Sequence, residues 1–296
     1  MGIDLPPLRW IDLDGPVAFR EWGGPEDTTF VLVHGLGGAH VNWVQVAPGL
    51  AGLGRVLALD LPGFGLSPRG TRGSGLMDER RTLSRFIHEL GTGRVVLGGN
   101  SMGGAIAILE AAVEPGAIAG LILTSSAFPW SKSALPSPAV LSLFAAYRTP
   151  GLGERIAQAR LRAIDPERAV RIGLHYAAAR PSSIPEEIVQ LHVDVLRERR
   201  HDPDIVPAFL DATRSMLRLA RQPESAARAL DGVRCPVLVL HGRRDKLVPA
   251  KAAEEALASH PAWRARFFPD LGHISQMEDP GRWLTEVADW YAAEFR

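Results

Sequence analysis

Five short apolar runs place the strongest limit on what this chain can fold into. They are Phe30-Val31-Leu32-Val33, Arg55-Val56-Leu57-Ala58-Leu59, Arg94-Val95-Val96-Leu97, Leu121-Ile122-Leu123 and Pro236-Val237-Leu238-Val239-Leu240. A strand with one wet face alternates in polarity, whereas a strand apolar at every position has both faces covered. Helix-like stretches separate the runs, among them Asp78 to Leu90 and Met102 to Val113, the second stopped by Glu114-Pro115. This alternation predicts an α/β fold built on a doubly wound, mostly parallel sheet. In such sheets ligands bind beyond the carboxyl ends of the strands, so the residues just after each run are where chemistry is expected.

The alternation breaks between Phe128 and Ala229, where only helical patterns occur: Ala139–Arg148, Glu154–Ala163, Glu167–Ala178, Pro185–Arg200 and Ile205–Ala220. Asp165-Pro166-Glu167 is a strong helix start, with proline at the first helical position. The expected organisation is a core of residues 1–127 and 230–296 with a helical cap, residues 128–229, inserted over one end of the sheet. A chain of 296 residues is long enough for that arrangement. Its 33 basic and 33 acidic residues balance, and no basic stripe argues for nucleic acid, which leaves small molecules as the expected partners. The opening MGIDLPPLRWIDLDG lacks the basic and apolar regions of a secretory signal, and Pro6 stands where a myristoylation signal needs Ser or Thr. No apolar run reaches the roughly 18 residues of a membrane span. The single cysteine, Cys235, cannot form an internal disulfide and is read as small buried filler. Together these predict a cytoplasmic location.

Residues 97–105, LGGNSMGGA, frame one serine with glycines at a strand-to-helix junction. Small residues suit a tightly packed turn, and they also suit a nucleophile elbow of the form Gly-x-Ser-x-Gly. A serine hydroxyl is a poor nucleophile unless a base, oriented by a carboxylate, takes its proton. An oxyanion site would also be required, and His34-Gly35-Leu36-Gly37-Gly38 follows another strand. The backbone amides of Leu36 and Met102 are the expected donors. Nucleotide readings of the glycines fail on spelling: a dinucleotide fingerprint needs glycine at His40, and a P-loop needs lysine at Ala105.

The orienting acid is expected after a late strand. Asp245 lies in the loop past Leu240, while the run at 121–123 leads into Thr124-Ser125-Ser126 and offers no acid. Asp270 and Asp279 are weaker candidates because they sit too close in sequence to His273, the candidate base in the loop after Gly272. The order is then Ser101, Asp245, His273. His34 and His241 read as strand-end residues that support loops. His40, His88, His175, His192, His201 and His260 are given no role, and no histidine shows metal-ligand spacing.

Taken together, His34-Gly35, Asp60-Leu61-Pro62-Gly63-Phe64-Gly65-Leu66-Ser67, Gly99-Asn100-Ser101-Met102-Gly103-Gly104, Gly242-Arg243-Arg244-Asp245 and Gly272-His273 resemble the α/β-hydrolase superfamily. The resemblance implies a Ser101–His273–Asp245 triad and an acyl-enzyme, with no metal or cofactor. Haloalkane dehalogenases and epoxide hydrolases of that fold carry aspartate at the elbow, where this chain has Ser101. The elbow is similar to that of capped bacterial serine esterases and lipases and, more distantly, to that of the carbon–carbon hydrolases of meta-cleavage products. The latter usually have a proline in the glycine-rich loop and a tryptophan after the catalytic histidine; here Leu36-Gly37-Gly38-Ala39 has none and Ile274 follows His273. The expectation is therefore a carboxylesterase or lipase-like enzyme acting on hydrophobic esters. The alternatives are carbon–carbon hydrolysis, cofactor-free perhydrolase or haloperoxidase chemistry with the same triad, and a binding protein without chemistry. Phe128, Trp130, Val248 and Ile274, with Leu143, Phe144, Tyr147, Phe209 and Leu217 from the insertion, are the expected pocket walls, although apolar residues at helical spacing also serve ordinary packing.

Overall fold

A computed structural model describes residues 5–91, 93–127 and 136–295. Its centre is one sheet of eight strands: β1 (Leu8–Asp12), β2 (Pro16–Trp22), β3 (Thr28–Val33), β4 (Arg55–Leu59), β5 (Arg94–Asn100), β6 (Ile118–Thr124), β7 (Val237–Gly242) and β8 (Arg264–Phe268). The spatial order is β1-β2-β4-β3-β5-β6-β7-β8. β1 and β2 pair antiparallel, as do β2 and β4, and every other pairing is parallel.

The helices are α1 (Ala47–Leu50), α2 (Leu76–Glu89), α3 (Met102–Val113), α4 (Pro138–Arg148), α5 (Leu152–Ala163), α6 (Pro166–Ala177), α7 (Glu186–Arg199), α8 (Ile205–Ala220), α9 (Pro223–Gly232), α10 (Ala250–Ser259), α11 (Ser275–Glu278) and α12 (Pro280–Phe295). The apolar runs are covered on both faces, as their composition requires. Val31, Val33, Leu57, Leu59, Leu97 and Val239 pack with α2, α3 and α10. Their neighbours in sequence, Phe30, Leu32, Val56, Ala58, Val96 and Leu238, pack with α1, α7 and α12 on the other side.

From β3 the chain crosses to β4 on one side, then returns past β3 to β5 on the other. The loops after β3 and β5 therefore diverge at a topological switch point, which opens a crevice between them. Both the glycine-rich loop and Ser101 emerge there.

The span between β6 and β7 holds α4 to α9. α4, α5 and α8 bury Tyr147, Ala157, Val206 and Leu210 among themselves, while α8 also sends Ala208 and Ala212 into the core beside the sheet. α9 rests against α3. The start of α6 follows its sequence signal: Asp165 accepts a hydrogen bond from the Arg168 amide at 3.0 Å, with Pro166 as the first helical residue. Among the described residues no helix is long and apolar enough to cross a membrane.

Three strands and four helices lie outside the sequence expectations: β1, β2, β8, α1, α9, α10 and α11. β1 and β8 are edge strands with one neighbour each, and Arg264, Ala265 and Arg266 of β8 are exposed. Such strands have no need of a continuous apolar run. The apolar stretch of β2 is cut short by Arg20-Glu21.

Candidate active site

Strand β5 delivers Ser101 to the crevice, and the turn into α3 holds it in a costly conformation. Ser101 has φ of +55° and ψ of −115°, a region that disfavours any residue with a Cβ. Its main chain is held on three sides. The N–H donates to the Thr124 carbonyl at 3.0 Å, and its own carbonyl accepts from Ala105 at 3.2 Å and Ala127 at 2.9 Å. The flanking glycines serve close approach. A Cβ on Gly99 would lie 2.5 Å from the Gly103 carbonyl, and one on Gly103 would press into the Val33 carbonyl oxygen. α3 can thus start directly against β3 and β5 only with glycine at both places, and the packing and elbow readings describe one feature.

Asp245 and His273 meet behind this turn. His273, nearly buried, donates Nδ1–H to Asp245 Oδ2 at 2.7 Å. Asp245 Oδ1 accepts from the amides of Leu247 at 2.8 Å and Val248 at 2.9 Å. Burial alone would raise the Asp245 pKa, but His273 and His241 beside it outweigh that effect and hold the carboxyl far below the ordinary range. The carboxylate is therefore charged, and a neutral His273 donating from Nδ1 keeps its lone pair on Nε2.

Ser101 and His273 both line a cavity of about 1580 Å³ between the sheet end and the helices α4 to α8. Leu36, Leu143, Phe144, Tyr147, Phe209, Leu217, Val248 and Ile274 line it too. Tyr147 and Phe209 meet edge to face, with ring centroids 5.3 Å apart. Asp245 lies behind the wall without exposure. Met102 buries its side chain in the core; as the first residue of α3, its N–H has no intrahelical acceptor. Phe128 and Trp130 lie outside the described residues. Asp270 and Asp279 pair with Arg180 and Arg282 near the surface, away from His273. Among the described residues no group of three His, Cys, Asp or Glu side chains converges as a metal site would.

Several residues that support this site were not singled out from the sequence. Asn100 donates from Nδ2 to the carbonyls of Thr124 and His273, each at 3.1 Å, tying the serine turn to the histidine loop. Glu278 accepts from the Gly272 amide at 2.7 Å and from the amides of Ala179 and Arg180 at 2.9 and 3.0 Å. His40, assigned no role from the sequence, pairs its Nδ1 with Asp60 Oδ2 at 2.9 Å in the interior. Burial would raise the Asp60 pKa; His40 and the Leu66 amide outweigh it and keep the carboxyl below its usual value. The Asp60-Leu61-Pro62-Gly63-Phe64-Gly65 stretch carried the signal for this pair. His34 supports its loop as expected: Nε2 accepts from the Leu61 amide at 3.1 Å, which puts the proton on Nδ1, 2.7 Å from the Gly35 carbonyl.

Comparison with known proteins extends these observations. The chain is 29% identical over 279 residues to the dihydrolipoyllysine-residue acetyltransferase component of the acetoin cleaving system of Pseudomonas putida, with 92% of this chain aligned but only 63% of that protein's length spanned. It is 28% identical over 287 residues to a 2-hydroxy-6-oxononadienedioate/2-hydroxy-6-oxononatrienedioate hydrolase of Cupriavidus pinatubonensis, covering 94% of this chain and 92% of the relative. A solved haloalkane dehalogenase from Bradyrhizobium elkani superposes with a TM-score of 0.80 at 23% identity, over 97% of this chain and 98% of that one, a likeness of fold alone. Residues 30–287 match the sequence profile of the alpha/beta hydrolase family, and the chain belongs to that family.

Proposed function

We propose that this hydrolase cleaves carboxylic esters with an apolar acyl or alcohol part through an acyl-enzyme on Ser101. The observation that carries the reading is the buried His273–Asp245 hydrogen bond at 2.7 Å beside a serine held at positive φ in the same apolar cavity. His273 Nε2 takes the Ser101 proton as Oγ attacks the ester carbonyl, while Asp245 stabilises the imidazolium. The amides of Leu36 and Met102 hold the oxyanion. The imidazolium passes its proton to the departing alcohol; His273 then activates water, which releases the acid and restores Ser101. The division into a core of residues 1–127 and 230–296 and a cap of residues 128–229 is part of the same reading. It is supported by the small core that α4, α5 and α8 bury among themselves.

The test is a fluorophosphonate label together with p-nitrophenyl butyrate hydrolysis. The adduct is expected on Ser101, and Ser101→Ala should lose turnover while melting like the wild type. Wild-type turnover by Ser101→Ala would refute the assignment. A second reading, hydrolysis of a carbon–carbon bond in a meta-cleavage-type dienoate, is supported by the similarity to the Cupriavidus hydrolase along 94% of this chain. p-Nitrophenyl esters of rising chain length, run beside one vinylogous dienoate, separate the two readings by which substrate has the larger kcat/KM.

A further inference from the structure

Asp245 is touched by two imidazoles. His241, in β7, has no exposed surface, and its Nε2 lies 3.2 Å from Asp245 Oδ2. That oxygen is the one that accepts from His273 Nδ1. The same Nε2 lies 3.0 Å from the carbonyl oxygen of Val248, a residue of the cavity wall. Both neighbours are acceptors, so the proton sits on Nε2 and is shared between them. Nδ1 on the far side of the ring is buried and has no partner among the described residues. A proton there would be a stranded donor, which fixes the tautomer by geometry. The ring lies against Phe267, with centroids 6.3 Å apart and planes inclined by 27°.

We propose that His241 is a positioning residue for the Ser101 reaction: its Nε2–H clamps the carboxylate oxygen that orients His273 and ties it to the Val248 carbonyl. With His241 present, each oxygen of Asp245 has two polar neighbours: the Leu247 and Val248 amides donate to Oδ1, while on Oδ2 His273 donates and His241 Nε2 stands 3.2 Å away. The carboxylate plane cannot turn without breaking several of these contacts. Without His241, Oδ2 is held only by His273, the ring that gains and loses a proton twice in each turnover. A side chain that merely filled the strand end could be replaced by another flat ring of similar size without kinetic effect.

The inference rests on the Ser101–His273–Asp245 reading, and its test separates the two. In the intact protein with ¹⁵N-labelled histidine, NMR is expected to find a proton on His241 Nε2. A ring whose Nε2 carries no proton overturns the proposal. This readout needs neither turnover nor a variant. Kinetics on p-nitrophenyl butyrate follow with His241→Phe, which keeps a flat ring without the donor, and His241→Gln, whose amide nitrogen reaches the place of Nε2. His241→Phe should lower kcat by roughly 10- to 100-fold, the usual cost of losing a partner that orients a reacting group, with KM close to wild type. His241→Gln should recover most of the loss. Wild-type kcat in the Phe variant overturns the proposal, as does a Gln variant that melts like the wild type yet is as slow as Phe. If neither variant folds, the tautomer in the native protein decides. A wild type with no turnover and no fluorophosphonate adduct on Ser101 would instead mark failure of the underlying reading.

Discussion

Replacing Asp245 by asparagine changes one atom and should cost most of the activity, for reasons that the hydrogen bonds make explicit. The amide has two orientations. With its oxygen in the place of Oδ1 it keeps the Leu247 and Val248 amide bonds at 2.8 and 2.9 Å. Turned over, it sets NH₂ against those two donors and forfeits both, at roughly 1–3 kcal/mol each. The first orientation wins because the two backbone amides cannot move their protons, whereas an imidazole can change tautomer, and NH₂ then faces the Nδ1–H of His273 across a gap that is 2.7 Å in the native protein. Two donors cannot share that contact. His273 relieves the conflict by moving its proton to Nε2 and offering the Nδ1 lone pair to the amide. A proton on Nε2 leaves no base for Ser101. Serine hydrolases lose about 10⁴ in kcat from this tautomer error. At 1.36 kcal/mol per decade that corresponds to about 5.4 kcal/mol of transition-state stabilisation. The assay is steady-state hydrolysis of p-nitrophenyl butyrate by Asp245→Asn at neutral pH, with a melting curve to establish that the variant is folded. A folded variant within tenfold of wild-type kcat would refute the tautomer argument.

Gly103→Ala should lower the melting temperature markedly, because its Cβ meets the Val33 and His34 carbonyls rather than a flexible side-chain end. Overpacking of this kind costs about 1–3 kcal/mol or more, and a wild-type melting curve would refute the close-approach argument. Glu79 is fully buried, and neither carboxylate oxygen has a partner among the described residues. Burial, against the pull of Arg72, raises its pKa well above the ordinary 4.5, so above that pH the unfolded chain releases a proton that the folded one retains. Stability from this site is lost as pH rises; Glu79→Gln should melt above wild type at neutral pH, with the gap closing toward pH 4.5, and a gap independent of pH would count against it. Burial pushes the Cys235 thiol up to about 11, so iodoacetamide should leave it unmodified in the native protein at mildly alkaline pH, and rapid alkylation there would contradict this.

How much of this was legible in the sequence follows from where each feature is encoded. The five runs could be read because a strand covered on both faces must be apolar at every position, as Val96 and Leu97 of β5 illustrate by facing opposite cores. Ser101 and Asp245 stood out as candidates because each follows a readable strand within a short stretch that carries its own turn residues, and His273 because it follows Gly272 in a later loop. β1 and β8 could not, since an edge strand such as Arg264–Phe268 needs little apolar surface. Nor could the supporting hydrogen bonds. Asn100 reaches His273 across 173 positions, and nothing local to either residue encodes that meeting. Likewise His241 reads as one more strand-end residue until the fold sets its Nε2 against the carboxylate that His273 also uses.

The same distinction separates the proposed reacting groups from the walls around them. Ser101, Asp245 and the loop at Leu36 are fixed by strand ends of the central sheet, where neighbouring strands fix the position of each turn. Leu143, Phe144, Tyr147, Phe209 and Leu217 come from helices between β6 and β7, whose own small core tolerates other apolar side chains. These walls can therefore change with less disturbance to the turn at Ser101. His273 is where the two parts meet. Its amide donates to the Ala177 carbonyl at 2.7 Å, and Glu278 binds the amides of Ala179 and Arg180 as well as that of Gly272. The histidine loop is thus held on one side by Asn100 of β5 and on the other by the end of α6. A change that shifts α6 therefore acts on His273 through the main chain as well as on the cavity wall that α6 helps to form.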